Sequence, residues 1–137
     1  MDDTQILLGK AGLILFTLGL CIGALVPRFH NPRMGLSAHT TAVQSGTALI
    51  AFGLFWPWFA IPDRVQGPLA MTLTASFAVL VLSLVLAASF GASEALPIAG
   101  KGFSSSKAKE RTVSVLSIGS SVCMLLVCLS ICVYSLL

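Results

Sequence analysis

Four long apolar stretches constrain this chain more than any other feature. They cover approximately residues 6–26, 39–59, 69–91 and 113–137, and Lys10 is the only charged residue in any of them. A helix needs roughly 20 mostly apolar residues to cross a bilayer, and lipid forces a spanning segment to satisfy its own backbone hydrogen bonds. Alternation of period two, typical of a membrane barrel, is absent. The sequence predicts an all-α integral membrane protein, a four-transmembrane-helix bundle forming one domain over residues 1–137.

Composition excludes several other classes of protein. Of 137 residues, 56% are hydrophobic and only 9% are charged, which leaves no room for a soluble catalytic domain of about 100 residues. The cations occur singly or in one short loop, so no nucleic-acid-binding stripe is expected. The four cysteines lie inside apolar stretches, which argues against a disulfide-stapled secreted fold. A convincing signal peptide is also missing, since two aspartates replace the usual positive N-terminal region.

Breaker and capping residues predict where the spans end. Pro27 closes the first span, Ser37 is a candidate N-cap for the second, and the Gly-Pro pair at 67–68 begins the third. Trp56 and Trp58 end the second span, a position typical of the membrane interface. The polar stretch 100–109 is predicted to be a loop.

The distribution of cations predicts an orientation. Six of the eight Lys and Arg residues lie in the first and third loops, and the positive-inside rule places both loops in the cytoplasm with both termini outside. These six are Arg28, Arg33, Lys101, Lys107, Lys109 and Arg111.

Small residues at helical spacing predict how the helices pack. In lipid, helices associate where small side chains allow close backbone approach. The candidate stripes are Gly19 and Gly23 in the first span; Ala42, Gly46 and Gly53 in the second; Ser83, Ala87 and Gly91 in the third; and Ser114, Ser121, Cys128 and Ser135 in the fourth.

Few side chains in this chain can do chemistry, and His39 is the most informative. It begins the second span, with Ala42 and Gly46 on the same helix face, a shelf of small residues that could admit a flat ligand. Imidazole is a common ligand of haem iron, but an interfacial histidine bonded to a loop carbonyl fits the same pattern. Glu94 either marks the water interface or acts as a general acid or base. His30 is expected to be a solvated loop residue.

Two short segments resemble a known family. The stretch from Asn31 to His39 (NPRMGLSAH) and the later segment from Leu96 to Gly100 (LPIAG) resemble the bacterial hydroxylaminobenzene mutases. Those enzymes convert an aromatic hydroxylamine to an aminophenol. The resemblance therefore implies a membrane isomerase or mutase in the bacterial cytoplasmic membrane, acting on a small aromatic hydroxylamine or epoxide.

The styrene oxide isomerases, which are similar but more distant, imply a cofactor. They carry a similar Ala-His pair and bind haem b through that histidine, in a trimer. The resemblance implies His39 as the iron ligand, a haem lodged beside Ala42 and Gly46, and Arg28 and Arg33 as partners of the haem carboxylates. Ser45 stands where relatives commonly carry asparagine, which implies a hydroxyl that binds the substrate oxygen.

Three other functions remain open at this point. A haem-bearing membrane anchor that transfers electrons would need bis-histidine ligation by His30 and His39. An epoxide isomerase of the styrene oxide type would use the same site as a mutase. A small transporter is less well supported, because such proteins usually carry a charged residue deep inside a span.

Overall fold

The computed structural model describes residues 2–136, and within that range every regular element is helical. The helices are α1 (Asp3–Leu25), α2 (Pro32–Phe55), α3 (Asp63–Phe90), α4 (Pro97–Gly100) and α5 (Lys107–Leu136). Short 3₁₀ turns, Val26–Arg28 and Trp56–Trp58, follow α1 and α2. The prediction of an all-α fold is confirmed for the part of the chain described.

Three of the four long helices are long and apolar enough to cross a membrane: α1, α3 and α5. This property is consistent with a membrane protein. Helix α2 is also long, but it contains polar residues such as His39, Gln44 and Ser45. It packs against both α1 and α3, so part of its polar surface is shielded by protein. A fourth span formed by α2 stays a prediction.

Glycines bring α1 and α2 into close backbone contact. A Cβ atom on Gly46 would lie 2.5 Å from the backbone nitrogen of Phe16, and one on Gly12 would lie 2.7 Å from the Gly46 carbonyl oxygen. A Cβ on Gly19 would meet Val43 at 2.8 Å. These glycines are therefore required for the packing distance. Gly19 and Gly46 belong to the small-residue stripes predicted for the first two spans, whereas Gly12 was not predicted.

Helix α5 packs chiefly on α3, through a stripe that differs from the predicted one. Its buried residues recur at alternating steps of three and four along one face: Glu110, Val113, Ser117, Ser120, Val127 and Ile131. Ser121 and Ser135, which belong to the predicted stripe, are exposed, whereas Cys128 packs against the buried core, so only part of that stripe is a contact within the chain. The buried stripe contains Val113, Ser120 and Val127 and so has the same seven-residue spacing as the predicted stripe, but each of these residues lies one position earlier in the chain.

Helix α2 begins seven residues earlier than the predicted span. Asn31, not Ser37, is its N-cap: the Asn31 side chain accepts a hydrogen bond from the Met34 nitrogen, and Pro32 follows at the first helical position. Ser37 lies inside the helix and donates to the Arg33 carbonyl. The prediction of a Ser37 cap was therefore wrong, because apolarity marks where a membrane begins and not where a helix begins.

Two other boundaries differ for the same reason. Helix α3 begins at Asp63, so Pro68 lies inside it rather than at its start. Helix α5 begins at Lys107, which shortens the predicted loop at 100–109. Trp56 is buried and donates a hydrogen bond from Nε1 to Gln66, 3.1 Å away, whereas Trp58 is exposed. Only Trp58 is thus available to a membrane interface.

Candidate functional site

The two segments that resemble the mutases meet at one end of the molecule. Asn31 is fully buried, and its Nδ2 donates to the carbonyl oxygen of Ala99 at 2.9 Å. Its backbone nitrogen donates to Ala88, the third-last residue of α3, also at 2.9 Å. The Asn31 side chain therefore caps α2 and holds the short helix α4, and the Asn31 backbone joins α2 to α3.

A buried carboxylate holds the connection between α3 and α5. Glu110 is 4% exposed and accepts hydrogen bonds from the backbone nitrogens of Ser93, Glu94 and Ser105, at 2.9 to 3.1 Å. Buried carboxylates need such donors, since an unpaired buried charge is costly. Glu110 was not predicted from the sequence, because a lone acid among lysines and arginines resembles an ordinary surface residue.

The cations and His30 at this end contact the same connection. Arg33 donates to the Lys101 carbonyl, and its guanidinium lies 5.9 Å from the centre of the Phe103 ring. The His30 ring packs edge-on against Phe103 at 5.6 Å. The contacts of Asn31 and Arg33 place the two basic loops at one end, as their predicted common sidedness requires.

His39 lies between α1 and α2, with its ring against glycine. Its Nδ1 is 2.7 Å from the carbonyl oxygen of Gly19, and a Cβ on Gly23 would lie 2.7 Å from that same nitrogen. A carbonyl oxygen only accepts hydrogen bonds, so Nδ1 carries the proton and the lone pair of the neutral ring lies on Nε2. Gly19 thus supplies the acceptor, and Gly23 leaves space for the ring.

The second ring nitrogen of His39 has no hydrogen-bond partner in the part of the chain that the structure describes. Nε2 makes no hydrogen bond within residues 2–136, and it is not enclosed, because Thr74 Oγ1 is the one buried, unpartnered side-chain atom there. A histidine whose Nδ1–H is held by a backbone carbonyl and whose Nε2 is open has the usual arrangement of a metal-ligating imidazole. Within the same residues no three His, Cys, Asp or Glu side chains form a metal cluster. The open Nε2 of His39 fits a group that binds one imidazole nitrogen, such as haem.

The small residues below His39 are covered by α1. Ala42 is fully buried, and a Cβ on Gly19 would lie 3.1 Å from that of Ala42; Gly46 faces Phe16 and Gly12. A flat ligand would therefore approach Nε2 from outside this helix pair and would not lie on Ala42 or Gly46 within one chain. Their predicted role as cofactor contacts stays a prediction.

The predicted catalytic residues lie in other environments. Ser45 is six residues after His39, which is about 240° around the helix, and it is 3% exposed. Glu94 is exposed in the connection after α3, where its backbone nitrogen binds Glu110. The structure brings neither into contact with the His39 ring, and their catalytic roles stay predictions. His30 and His39 also contact different parts of the chain, which gives bis-histidine ligation no support.

Comparison with known proteins places this arrangement in a family. The sequence profile described as styrene oxide isomerase matches residues 4–136. Hydroxylaminobenzene mutase HabA of Ectopseudomonas oleovorans is 41% identical over 113 residues, covering 82% of this chain and 84% of HabA. HabB of the same organism is 37% identical over 125 residues, covering 87% of this chain and 73% of HabB. No solved structure matches. The chain belongs to the styrene oxide isomerase family and is an intramolecular isomerase.

Proposed function

We propose that this isomerase rearranges an aryl hydroxylamine to an aminophenol, and that His39 would bind the iron of a haem b. The names of the two mutase relatives support the substrate class. The observation that carries the proposal is the His39 ring, whose Nδ1 is held 2.7 Å from the Gly19 carbonyl while Nε2 is open.

The residues around His39 prepare it for ligation. The Gly19 carbonyl selects the tautomer and fixes the ring plane, as outer partners of ligating histidines do. Gly23 lets α1 approach the ring without a side chain in the way. Asn31, two turns before His39, anchors the start of α2 to α3 and α4. These contacts fix the direction in which Nε2 points, and none of them involves the other predicted site residues.

One exposed arginine, Arg28, is available to bind a carboxylate of a haem. Arg28 follows α1 by one short turn, is exposed and makes no hydrogen bond within the described residues. Arg33 already donates to the Lys101 carbonyl. Arg28 is therefore the better partner for a propionate, in a charge-assisted bond. When bound, ferric haem supplies a Lewis acid toward the substrate oxygen.

The reaction requires few functional groups from the chain. Moving a hydroxyl group from nitrogen to a ring carbon conserves all atoms and needs no external reductant. The protein's tasks are then to bind an apolar ring, to orient it and to limit access by water. Ser45 and Glu94 would contribute only if a further element brings them near the substrate.

An epoxide is the second candidate substrate, because the family profile that spans residues 4–136 is described as styrene oxide isomerase. Epoxide opening to a carbonyl compound is also an isomerisation without net redox. Purified protein should be assayed in parallel with hydroxylaminobenzene and styrene oxide. Turnover of the epoxide alone would assign the second candidate.

The proposal requires turnover without an electron donor and requires His39. We expect the wild-type protein to convert hydroxylaminobenzene to an aminophenol anaerobically with no reductant present. His39→Ala should abolish this conversion, whereas the matched control His30→Ala should keep most of it, since the His30 ring only packs against Phe103. Turnover that survives in His39→Ala, or that requires a reductant, would refute the proposal.

We further propose a homo-oligomer, with a trimer favoured, in the bacterial cytoplasmic membrane and with the basic loops in the cytoplasm. An open imidazole nitrogen at a lipid-facing surface is unfavourable, and a second copy over the α1–α2 surface would cover it. Mass measurement in detergent tests the oligomer, and a monomer would exclude it. Labelling of a cysteine introduced at Ser104 from outside the cell would overturn the orientation.

A further inference from the structure

Three cations lie at the corner where α5 begins beside the end of α3. Lys107, Lys109 and Arg111 are all in the first five residues of α5, and all three are exposed. No hydrogen bond or ion pair holds their side chains within residues 2–136. A helix dipole disfavours cations in its first turn, so this placement does not serve the stability of α5.

The acidic residues near this corner leave its charge exposed. Glu110 lies among the three cations in sequence, but its carboxylate is buried and accepts hydrogen bonds only from backbone nitrogens. Glu94 is exposed in the connection after α3 and forms no ion pair in the described part of the chain. The surface of the corner therefore carries a net positive charge.

An aromatic contact directs one of these cations to the side of α3. The Lys109 ammonium lies 4.8 Å from the centre of the Phe90 ring, and Phe90 is the last residue of α3. Such a cation–π contact holds the ammonium in place. Helix α5 packs chiefly on α3, whereas His39 lies between α1 and α2. The corner is thus separate from the imidazole.

The outer face of α5 changes from cationic to apolar along a single stripe. Steps of three or four residues link its members, which are Lys107, Arg111, Val115, Ile118 and Val122. The three apolar side chains are between 51% and 63% exposed. Since α5 is long and apolar enough to cross a membrane, the two cations lie where hydrocarbon gives way to headgroups. A lipid beside α5 would place its chains on the apolar residues and its headgroup on the cations.

We propose that the corner formed by Lys107, Lys109 and Arg111 is a binding site for an anionic phospholipid. The Arg111 guanidinium can donate two parallel hydrogen bonds to a phosphate, and the lysines supply further positive charge beside it. A lipid with a net negative charge complements this surface, whereas a zwitterionic lipid does not. The apolar stripe below the cations favours a lipid over a soluble phosphate. The inference goes beyond the proposed reaction and does not depend on it.

Native mass spectrometry of the full-length protein in one detergent tests this site by counting bound lipids. Phosphatidylglycerol and phosphatidylcholine with the same acyl chains are titrated separately. Each basic residue near an anionic lipid surface contributes about five-fold in affinity, equivalent to about 1 kcal/mol. We expect the wild type to prefer phosphatidylglycerol by about 100-fold, Arg111→Gln to reduce this preference about five-fold, and the triple variant Lys107→Gln/Lys109→Gln/Arg111→Gln to abolish it.

The matched control is Lys10→Gln/Arg64→Gln, which removes two exposed cations outside the corner. We expect it to keep the full preference. Glycerol 1-phosphate, a soluble phosphate, should not displace the lipid; displacement at the concentration at which phosphatidylglycerol binds would assign a soluble anion instead. Equal affinity of the wild type for both lipids, an unchanged preference in Arg111→Gln, or an equal loss in the control would overturn the inference. The single variant keeps the test readable if the triple variant loses helix content.

Discussion

Replacing Glu110 by glutamine tests whether its buried carboxylate stabilises the connection between α3 and α5. One carboxylate oxygen accepts from Ser93 and Ser105, and the other accepts from Ser93 and Glu94. In either orientation, the NH₂ group of the glutamine side chain would face one of these backbone N–H donors, which would then lack an acceptor. One bond is lost and the remaining bonds lose their charge assistance, which together cost about 2–3 kcal/mol.

The assay for this variant is local opening of the connection after α3. Trypsin cleaves after Lys101 and Lys107, which are both exposed next to that connection. A local loss of about 2 kcal/mol raises the open population, and hence the cleavage rate, by roughly 30-fold. Glu94→Gln is the matched control, because the Glu94 side chain is exposed and only its backbone nitrogen takes part. Equal cleavage rates for the two variants would refute this account of Glu110.

Two further perturbations test the packing. Gly46→Ala places a Cβ 2.5 Å from the Phe16 nitrogen. This contact forces the two helices apart and should destabilise the fold by about 1–3 kcal/mol in a thermal unfolding measurement. Gly9→Ala is the control, because its added Cβ meets nothing within 4 Å, and it should be neutral or stabilising. A similar loss in both would contradict the close α1–α2 contact. Trp56→Phe removes the hydrogen bond to Gln66 and should lower the free energy of unfolding by about 1 kcal/mol. Trp58→Phe should leave the melting temperature unchanged. A larger loss of stability in Trp58→Phe than in Trp56→Phe would show that Trp58 has the structural role.

The existence of the helices could be predicted from apolar length, but their ends could not. Hydropathy indicates where a segment enters lipid. Helices α2 and α5, however, each begin several residues before their apolar stretch, in polar sequence. The start of α2 depends on Asn31, whose capping role required Pro32 and the contact with Ala99 to be recognised together. That contact links segments 68 residues apart, which no local pattern reveals.

The candidate site was predictable in part. His39 could be singled out because few side chains in this chain can ligate a metal, and the small residues near it could be recognised by spacing. The partner of the ring could not be found in this way, since it is the backbone carbonyl of Gly19 on another helix. Glu110 was missed for a similar reason, because its environment depends on tertiary contacts and not on local sequence.

The visible absorption spectrum of the purified protein tests the central claim most directly. We predict a Soret band in the wild type and in the control His30→Ala, and its loss in His39→Ala at equal yield and equal helix content. Gly23→Val, which crowds the ring that Gly23 now accommodates, should weaken the band. A wild-type protein without a Soret band after purification with added haemin, or a band that persists in His39→Ala, would contradict the role of His39.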